Sequence, residues 1–306
     1  MAIVRANFAD LYTSRLALID EIIIDKTGQE GSMVPLVFRV KTGKGAFVQD
    51  TSVGGFMQVP TKDELSDVVF DDPLAGYDTK YTPLTYELGY KASEESIEDD
   101  LDNWISDVAS LLGVSMNDSY EVDHANVLNN GFGTTTLTGP DGQPLMDTAH
   151  VLLGSATKRN ELATPADLSV SSLQTAQIDY RDIPDERGLK RMRRLGVLLV
   201  PFEESFKAAE LLESELNPED ANNAINTIKG SRQSMVWASW EYLTDVDAWF
   251  VLGKERGGNQ MKSFWWQRPV TRHDIDFKAS AAMTKIRARW IRGYSDWRDI
   301  YGSPGA

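Results

Sequence analysis

The sequence predicts an α+β chain, and three stretches predict it. Residues 93–128 place Ile97, Leu101, Trp104, Val108, Leu111 and Leu112 at helical spacing. Residues 194–216 open with the continuous apolar run Leu-Gly-Val-Leu-Leu-Val, the pattern of a buried strand, and pass through Pro201 into a helix, whose first turn tolerates proline. Residues 286–292 set Ile286, Ala288 and Trp290 against Arg287, Arg289 and Arg292, a period-two strand with one basic face.

The other elements follow in chain order. Phe8 to Ile23 reads as a short amphipathic helix, with Phe8, Leu11, Arg15, Ile19 and Ile22 near one face and Asn7 as its N-cap. Gly28 to Ser32 is turn-rich. Val34 to Val40 and Tyr81 to Tyr90 read as strands. The 40 residues between them exceed what a compact domain spends on a connection. That connection holds Gly43, Gly45, Gly54 and Gly55, and also Phe47, Phe56, Met57, Val68, Val69 and Phe70, too apolar a set for a linker. A long apolar arm that cannot bury itself implies a partner surface.

Ser93 caps the next helix, and Glu94 and Glu95 lie in its first turn, where the dipole favours acids. The pattern weakens but continues to Ala125 and Leu128. Unbroken, it spans about 36 residues or ~54 Å, a spine and not a core helix. Gly113 is where it would kink or end, at about 1 kcal/mol.

Gly131 to Asp147 is expected to form a hairpin, with β-prone Thr134 to Thr138 and the turn Pro140-Asp141-Gly142. A helix within residues 162–183 should start near Ser169 or Ser172 and stop before Pro184, with a turn at Asp185 to Gly188. The helix after Pro201 is expected to reach Leu216, followed by an exposed loop from Asn217 to Gly230. Met235 to Ala238, Trp249 to Leu252 and Met261 to Trp266 read as strands of the same unit as 194–200. Seven of the eight tryptophans lie after residue 236, so this half should carry most of the core.

The composition is that of an ordinary globular chain: 306 residues, 42% hydrophobic and 25% charged. With no cysteine, disulfides, cysteine zinc sites and cysteine nucleophiles are excluded. The absence fits a reducing cytoplasm. The best N-terminal apolar run, Leu16 to Ile24, is broken by Asp20 and Glu21 and lacks the marks of a signal peptide or membrane span. A soluble chain with no membrane partner is expected.

The net charge of −15 argues against a whole-surface grip on nucleic acid. Its distribution says more. Residues 61–123 hold 17 acids and three lysines, 187–194 hold five bases and no acid, and 254–298 hold 11 bases and four acids. Such segregation fits solvated faces, or pairing of unlike regions within a subunit or head to tail between subunits.

No chemistry emerges. His124, His150 and His273 lack metal-ligand spacing to one another. A solvated or capping role is expected for His124, and structural roles for His150 and for His273 in a polar turn. Gly293-Tyr294-Ser295 begins like a nucleophile elbow, but Trp297 stands where the second glycine belongs. Thr42-Gly43-Lys44-Gly45 lacks the spacing of a phosphate loop. The acidic pairs Asp71-Asp72 and Asp99-Asp100 have no convergent partners, and adjacent carboxylates on a helix point about 100° apart. No catalytic residue, cofactor or metal is expected.

Three runs carry a family likeness. The first is Asn129-Asn130-Gly131-Phe132 leading to Gly139-Pro140-Asp141-Gly142-Gln143-Pro144-Leu145-Met146-Asp147-Thr148-Ala149-His150. The second is Asn160-Glu161-Leu162-Ala163-Thr164-Pro165-Ala166-Asp167-Leu168-Ser169, running on to Val200-Pro201 and Leu211-Leu212-Glu213-Ser214-Glu215-Leu216. The third is Leu243-Thr244-Asp245-Val246-Asp247-Ala248-Trp249-Phe250, closing with Ser295-Asp296-Trp297-Arg298. Over roughly residues 129–303 the sequence resembles the major head subunit of tailed bacteriophages, close to the Mu-like prophage type.

The resemblance implies the Hong Kong 97-like capsid fold: an N-terminal arm (1–33), an extended β-hairpin loop (34–91), a peripheral domain with the spine helix (92–188 and 270–306) and an axial α/β domain (189–269). It implies hexamers and pentamers that tile an icosahedral shell around double-stranded phage DNA, contacted non-specifically. The shell would be assembled in the host cytoplasm and found in the virion. Portal and decoration proteins are implied partners. The family often carries a cleaved N-terminal scaffolding segment; this sequence begins almost directly at its arm, so scaffolding is expected from a separate protein or not at all. The expected inter-subunit contacts are Phe47, Phe56, Met57, Phe70, Asp99, Asp100, Arg191 and Arg193, without covalent cross-links through Lys44 or Lys62. The alternative is an encapsulin-like compartment enclosing a cargo enzyme.

Overall fold

The computed structural model describes residues 8–28, 31–99, 104–133, 137–152, 156–217, 225–229, 235–253, 261–276 and 278–306. In chain order its elements are α1 (Phe8–Thr27), α2 (Val34–Val37), β1 (Arg39–Thr42), β2 (Val48–Val53), β3 (Ala75–Tyr81), β4 (Leu84–Ser93), α3 (Glu94–Glu98) and α4 (Trp104–Asn129). Then come β5 (His150–Val151), β6 (Thr157–Lys158), α5 (Val170–Asp182), β7 (Leu195–Val200), a 3₁₀ turn (Phe202–Glu204), α6 (Ser205–Glu213), β8 (Val236–Ser239), β9 (Trp249–Gly253), β10 (Met261–Asp276), β11 (Ala281–Tyr294) and β12 (Ile300–Ser303). The α+β expectation holds.

Two four-stranded sheets organise the chain. The first has the order β1-β10-β11-β4, and its long β10/β11 hairpin is the alternating stretch read from the sequence. Ile286, Ala288 and Trp290 are buried under α1 and α4, together with Ile19, Ile23, Ile105 and Ala109. The second has the order β12-β9-β7-β8. It packs Leu198, Val200, Trp249 and Tyr301 against Leu173 and Tyr180 of α5 and Leu211 of α6. A third cluster joins the two, where Ala125 and Leu128 of α4 meet Phe250, Trp240 and Met261.

Sheet membership cuts the chain elsewhere than at residues 188 and 270. Helix α5 and strand β12 pack with β7, and Met261–Trp266 begins β10 of the other sheet instead of joining the β7 unit. Residues 261–276 pair with β11 along their whole length, and that antiparallel hairpin decides where they fold.

Several local readings change. Val34–Val37 is a helical turn, because Pro35 sits at its start with φ already suited to a helix; the strand begins only at Arg39. Helix α3 ends at Glu98, and α4 runs 26 residues, about 39 Å, instead of one helix from Ser93. Ser93 does cap α3, accepting from the Ser96 amide. Gly113 does not end α4. A Cβ there would lie 2.6 Å from the Ile23 carbonyl oxygen, so this glycine is the point where α1 crosses. Gly139 to Gln143 forms the expected turn, but residues 137–147 make no strand; the segment is held by Asn160 instead. The side chain of that residue, fully buried, donates to the carbonyls of Leu145, Trp297 and Ile300 and accepts from the Asp147 amide. The helix after Pro201 stops at Glu213, and α5 starts at the Ser169/Ser172 capping box. Asn7 lies outside the described residues, as do Thr134, Thr135 and Thr136 of the expected hairpin and much of the 217–230 loop.

Candidate assembly surfaces

The 40-residue connection resolves into a β2/β3 hairpin with an irregular loop, 54–74, at its end. Both ends of the loop are fastened. The Gly54 amide donates to the Leu74 carbonyl, 2.8 Å. The Met57 amide donates to Asp71 Oδ2, 2.8 Å; Arg187 Nη1 pairs with Asp71 Oδ1 at 3.1 Å, and its Nη2 donates to the Asp72 carbonyl. Gly55 passes close to Arg191, and a Cβ there would sit 2.5 Å from Nη2, the movable end of that side chain. Between these pins the loop offers apolar side chains to solvent: Phe56, Met57, Val59, Leu65, Val68, Val69 and Phe70 are all exposed.

At the root of the hairpin lies a charged cleft of about 370 Å³. Lys262 pairs with Asp50, and Arg298 pairs with both Glu186 and Asp296 at 2.8 Å. Burial works to raise the Asp50 carboxyl, but its bonds to Lys262 and Ser295 outweigh burial and hold it below its usual range. The cleft's cations are answered by its anions, so it is a structural joint between hairpin and body.

The expected contact residues separate into two groups. Phe47, Phe56, Met57 and Phe70 all lie on the hairpin and its loop and are exposed, Phe70 at 92%; the Lys80 ammonium stands over the Phe47 ring at 4.1 Å. Asp99 is exposed at the end of α3, away from that group by element, and Asp100 lies outside the described residues. Arg191 and Arg193 have partners within the chain: Arg191 binds Asp185 at 2.9 Å, and Arg193 meets Asp299 at 3.4 Å and the Arg298 carbonyl.

The same holds for much of the segregated charge. Acids of 61–123 meet the basic stretches within one subunit: Asp71 with Arg187, Glu87 with Arg287 at 2.7 Å, Asp123 with Arg292 at 3.0 Å. Part of the pattern is therefore satisfied internally.

The histidines are structural. His124, expected at the surface, is fully buried. Its ring bonds the Tyr120 carbonyl and Ser263 Oγ, and desolvation pushes it down to about 3. His150 stacks on Trp297 at 4.1 Å and binds Asp141, while His273 lies in strand β10 and binds Asp20 of α1. Among the described residues no group of acids and histidines is arranged to hold a metal ion, and no helix is long and apolar enough to cross a membrane.

The sequence profile described as phage capsid protein matches residues 76–303. The chain belongs to the phage capsid protein family. The capsid chain is accordingly a structural protein and not an enzyme. The match reaches further upstream than residue 129, where the motif runs begin, taking in β4 and α4 but stopping at the start of β3. No curated protein matches the capsid chain in sequence.

Solved structures match its fold. The virus-like particle from Pyrococcus furiosus aligns over 94% of this chain and 98% of its own, at TM-score 0.54 and 8% identity. The procapsid protein of bacteriophage JBD30 aligns over 96% and 74%, at 0.55 and 14%. A chain from the structure of Mycobacterium phage Adephagia aligns over 91% of both chains, at 0.56 and 10%. The capsid chain thus has the Hong Kong 97-like fold.

Proposed function

We propose that this chain is the major head subunit of a tailed bacteriophage of the Mu-like type. Copies assemble as hexamers and pentamers into an icosahedral shell that encloses double-stranded DNA. The three motif runs between residues 129 and 298 support the Mu-like type. The domain map follows the sheets: β1-β10-β11-β4 with α4 is the peripheral domain, β12-β9-β7-β8 with α5 and α6 the axial domain, α1 the arm and 48–81 the extended hairpin. A portal and decoration proteins are its partners.

The observation that carries this reading is the 54–74 loop. It is pinned at both ends yet keeps a run of large apolar side chains in water, which a monomer gains nothing from and an assembling subunit buries. Phe47, Phe56, Met57 and Phe70, on the hairpin and its loop, are the apolar inter-subunit contacts, and Asp99, Asp100, Arg191 and Arg193 are the polar ones.

Negative-stain microscopy of the purified chain tests the reading. Closed shells are expected, and a variant lacking residues 56–72 should stay folded and soluble without building them. Nucleic acid inside nuclease-treated particles made with the packaging machinery separates a head from a cargo compartment. Normal shells from the deletion variant would remove the loop from assembly.

A further inference from the structure

The three motif runs that carry the family likeness meet at one buried ring. Asp141 and His150 come from the first run, Asn160 from the second and Trp297 from the third. The side chains of His150 and Asp141 are both out of solvent. The imidazole lies flat on Trp297, with centroids 4.1 Å apart and planes 7° apart. Nδ1 is 2.7 Å from Asp141 Oδ2, and Nε2 is 3.1 Å from Asn160 Oδ1.

Hydrogen-bond accounting fixes the protons on this ring. Asn160 Nδ2 donates to the carbonyls of Leu145, Trp297 and Ile300, and its Oδ1 accepts from the Asp147 amide. Turning that amide over would set donor against donor and oxygen against three oxygens, so the oxygen stands towards Nε2. An amide oxygen only accepts, and Nε2 therefore carries a proton. Nδ1 faces a carboxyl group, with one proton between them. The imidazole is the stronger base of the two, about 6.5 against about 3.9 in water, so it keeps that proton. The other histidines lack this constraint. His124 meets Ser263 Oγ and His273 meets Thr284 Oγ1, hydroxyls that can donate, so a singly protonated ring satisfies each.

The charges around the ring suit a cation. Besides Asp141, the Glu161 carboxyl acts on it, with Asp147 close by. Lys158 stands opposite His150 in the β5/β6 register but turns its ammonium to Asp182. Arg298 lies 4.9 Å from the Trp297 ring and is answered by Glu186 and Asp296. The phenols of Tyr294 and Tyr77 lie within the field of Asp141.

The ring also sits across a seam. On the Asp141 side, the Gln143 carbonyl accepts from the Tyr294 hydroxyl at the end of β11. On the Asn160 side, the Asn160 carbonyl accepts from the Gly302 amide of β12. Strand β11 belongs to the first sheet and β12 to the second.

We propose that His150 is a buried imidazolium whose second proton bolts Asp141 to Asn160 across the seam of the two sheets, so that alkali releases the seam. The inference is independent of the shell reading. Loss of the proton leaves either the Asp141 carboxylate or Asn160 Oδ1 facing a bare nitrogen at a buried site. The sign is definite. The folded ring keeps a proton that the unfolded chain gives up above about pH 6.5, so the bolt is at full strength below that pH and weakens as the folded ring titrates.

Nitrogen NMR of the chain carrying isotopically labelled histidine tests the ring, in solution or on sedimented shells. At pH 7 His150 should show two protonated nitrogens, one of which loses its proton on alkaline titration. The signal is assigned by its loss in His150→Gln or, should that variant fail to fold, by elimination with His124→Gln and His273→Gln. Amide exchange, corrected for the intrinsic effect of pH, should quicken about tenfold over residues 139–152 and 297–303 as the ring titrates, and not over α1. Asp141→Asn removes the counter-charge and should move this release at least about one pH unit lower. One bare ring nitrogen at pH 7 overturns the imidazolium, whatever the variants do. A doubly protonated ring whose titration leaves exchange of those segments unchanged overturns the bolt. Release at an unaltered pH in a folded Asp141→Asn chain overturns the pairing with Asp141.

Discussion

Arg187 Nη1 lies 3.1 Å from Asp71 Oδ1, and so the far end of the 54–74 loop is tied to the turn that follows α5. The same guanidinium bonds the Asp72 carbonyl, and Asp71 in turn receives the Met57 amide. One side chain thus organises both limbs of the loop. Arg187→Ala should remove about 1–3 kcal/mol of local ordering. Little of the core depends on the loop, so the melting temperature should fall by less than about 3 °C. Amide exchange of residues 56–72 should quicken about tenfold, read by mass spectrometry. Unchanged exchange would mean that the loop is held by something other than this pair.

His124 gives the capsid chain a pH dependence with a definite sign. A carbonyl only accepts, so Nδ1 carries the proton towards Tyr120, 2.7 Å, and Nε2 accepts from Ser263, 2.8 Å. Burial holds the folded ring down to about 3, whereas the unfolded ring titrates near 6.5. Below about pH 6.5 the unfolded state takes up a proton that the folded state refuses, so stability is lost as pH falls, at up to about 1.4 kcal/mol per pH unit. Chemical denaturation at pH 7 and pH 5 should show a loss about 1–2 kcal/mol larger for the wild type than for His124→Gln. Parallel losses would show that the ring accepts a proton in the folded state.

His124 also marks where the sequence stopped being informative. Its neighbour Asp123 and the fading helical pattern suggested a wet helix end, but the helix continues to Asn129 and that face packs beneath β10. Periodicity located the helix and left its rotation against the sheet undetermined. The strongest local signals survived folding: the Ser169 cap, the β11 alternation and the apolar β7 run were each set by residues close in sequence. Signals needing a distant partner did not. The turn at Pro140-Asp141-Gly142 formed without its hairpin, because Asn160 and the C-terminal turn hold the segment. Glycine content and apolar count marked the loop as a partner surface, whereas the left-handed Leu65 and the close strand approach at Gly89 depend on tertiary geometry with no sequence motif.

Asp123 is a second dependence, part-buried between α4 and the sheet. Oδ2 accepts from the Tyr86 hydroxyl at 3.0 Å and from Trp290 Nε1 at 2.9 Å, while Oδ1 pairs with Arg292 at 3.0 Å. Burial, helped by the Asp123 charge, pushes the Tyr86 phenol up to about 12, so it stays a donor throughout the neutral range. Tyr86 and Trp290 stack at 3.7 Å, and the carboxylate fixes both rings against α4. Asp123→Ala should cost about 2–3 kcal/mol, since it strands a part-buried cation, the buried Trp290 donor and the half-buried Tyr86 hydroxyl; Asp123→Asn, which keeps an acceptor, should cost about half as much. Urea denaturation of both variants reads this. Equal losses would show that charge and not the acceptor geometry matters.

Gly113 tests how α1 is held. An alanine in the middle of a helix ordinarily stabilises it by about 1 kcal/mol over glycine. Here the added Cβ would approach the Ile23 carbonyl oxygen to 2.6 Å and Lys26 Cβ to 2.8 Å, both at the crossing with α1. Backbone cannot step aside as a flexible side chain can, so α1 must lift, loosening Ile19 and Ile23 from Ala109, Leu112 and Met116. Overpacking of this kind costs about 1–3 kcal/mol and should outweigh the propensity gain. Gly113→Ala is therefore expected to melt lower than the wild type, with faster amide exchange confined to α1 and the facing turn of α4. A higher melting temperature with α1 protection intact would show that the crossing has room for a methyl group, and that helix propensity alone governs this position.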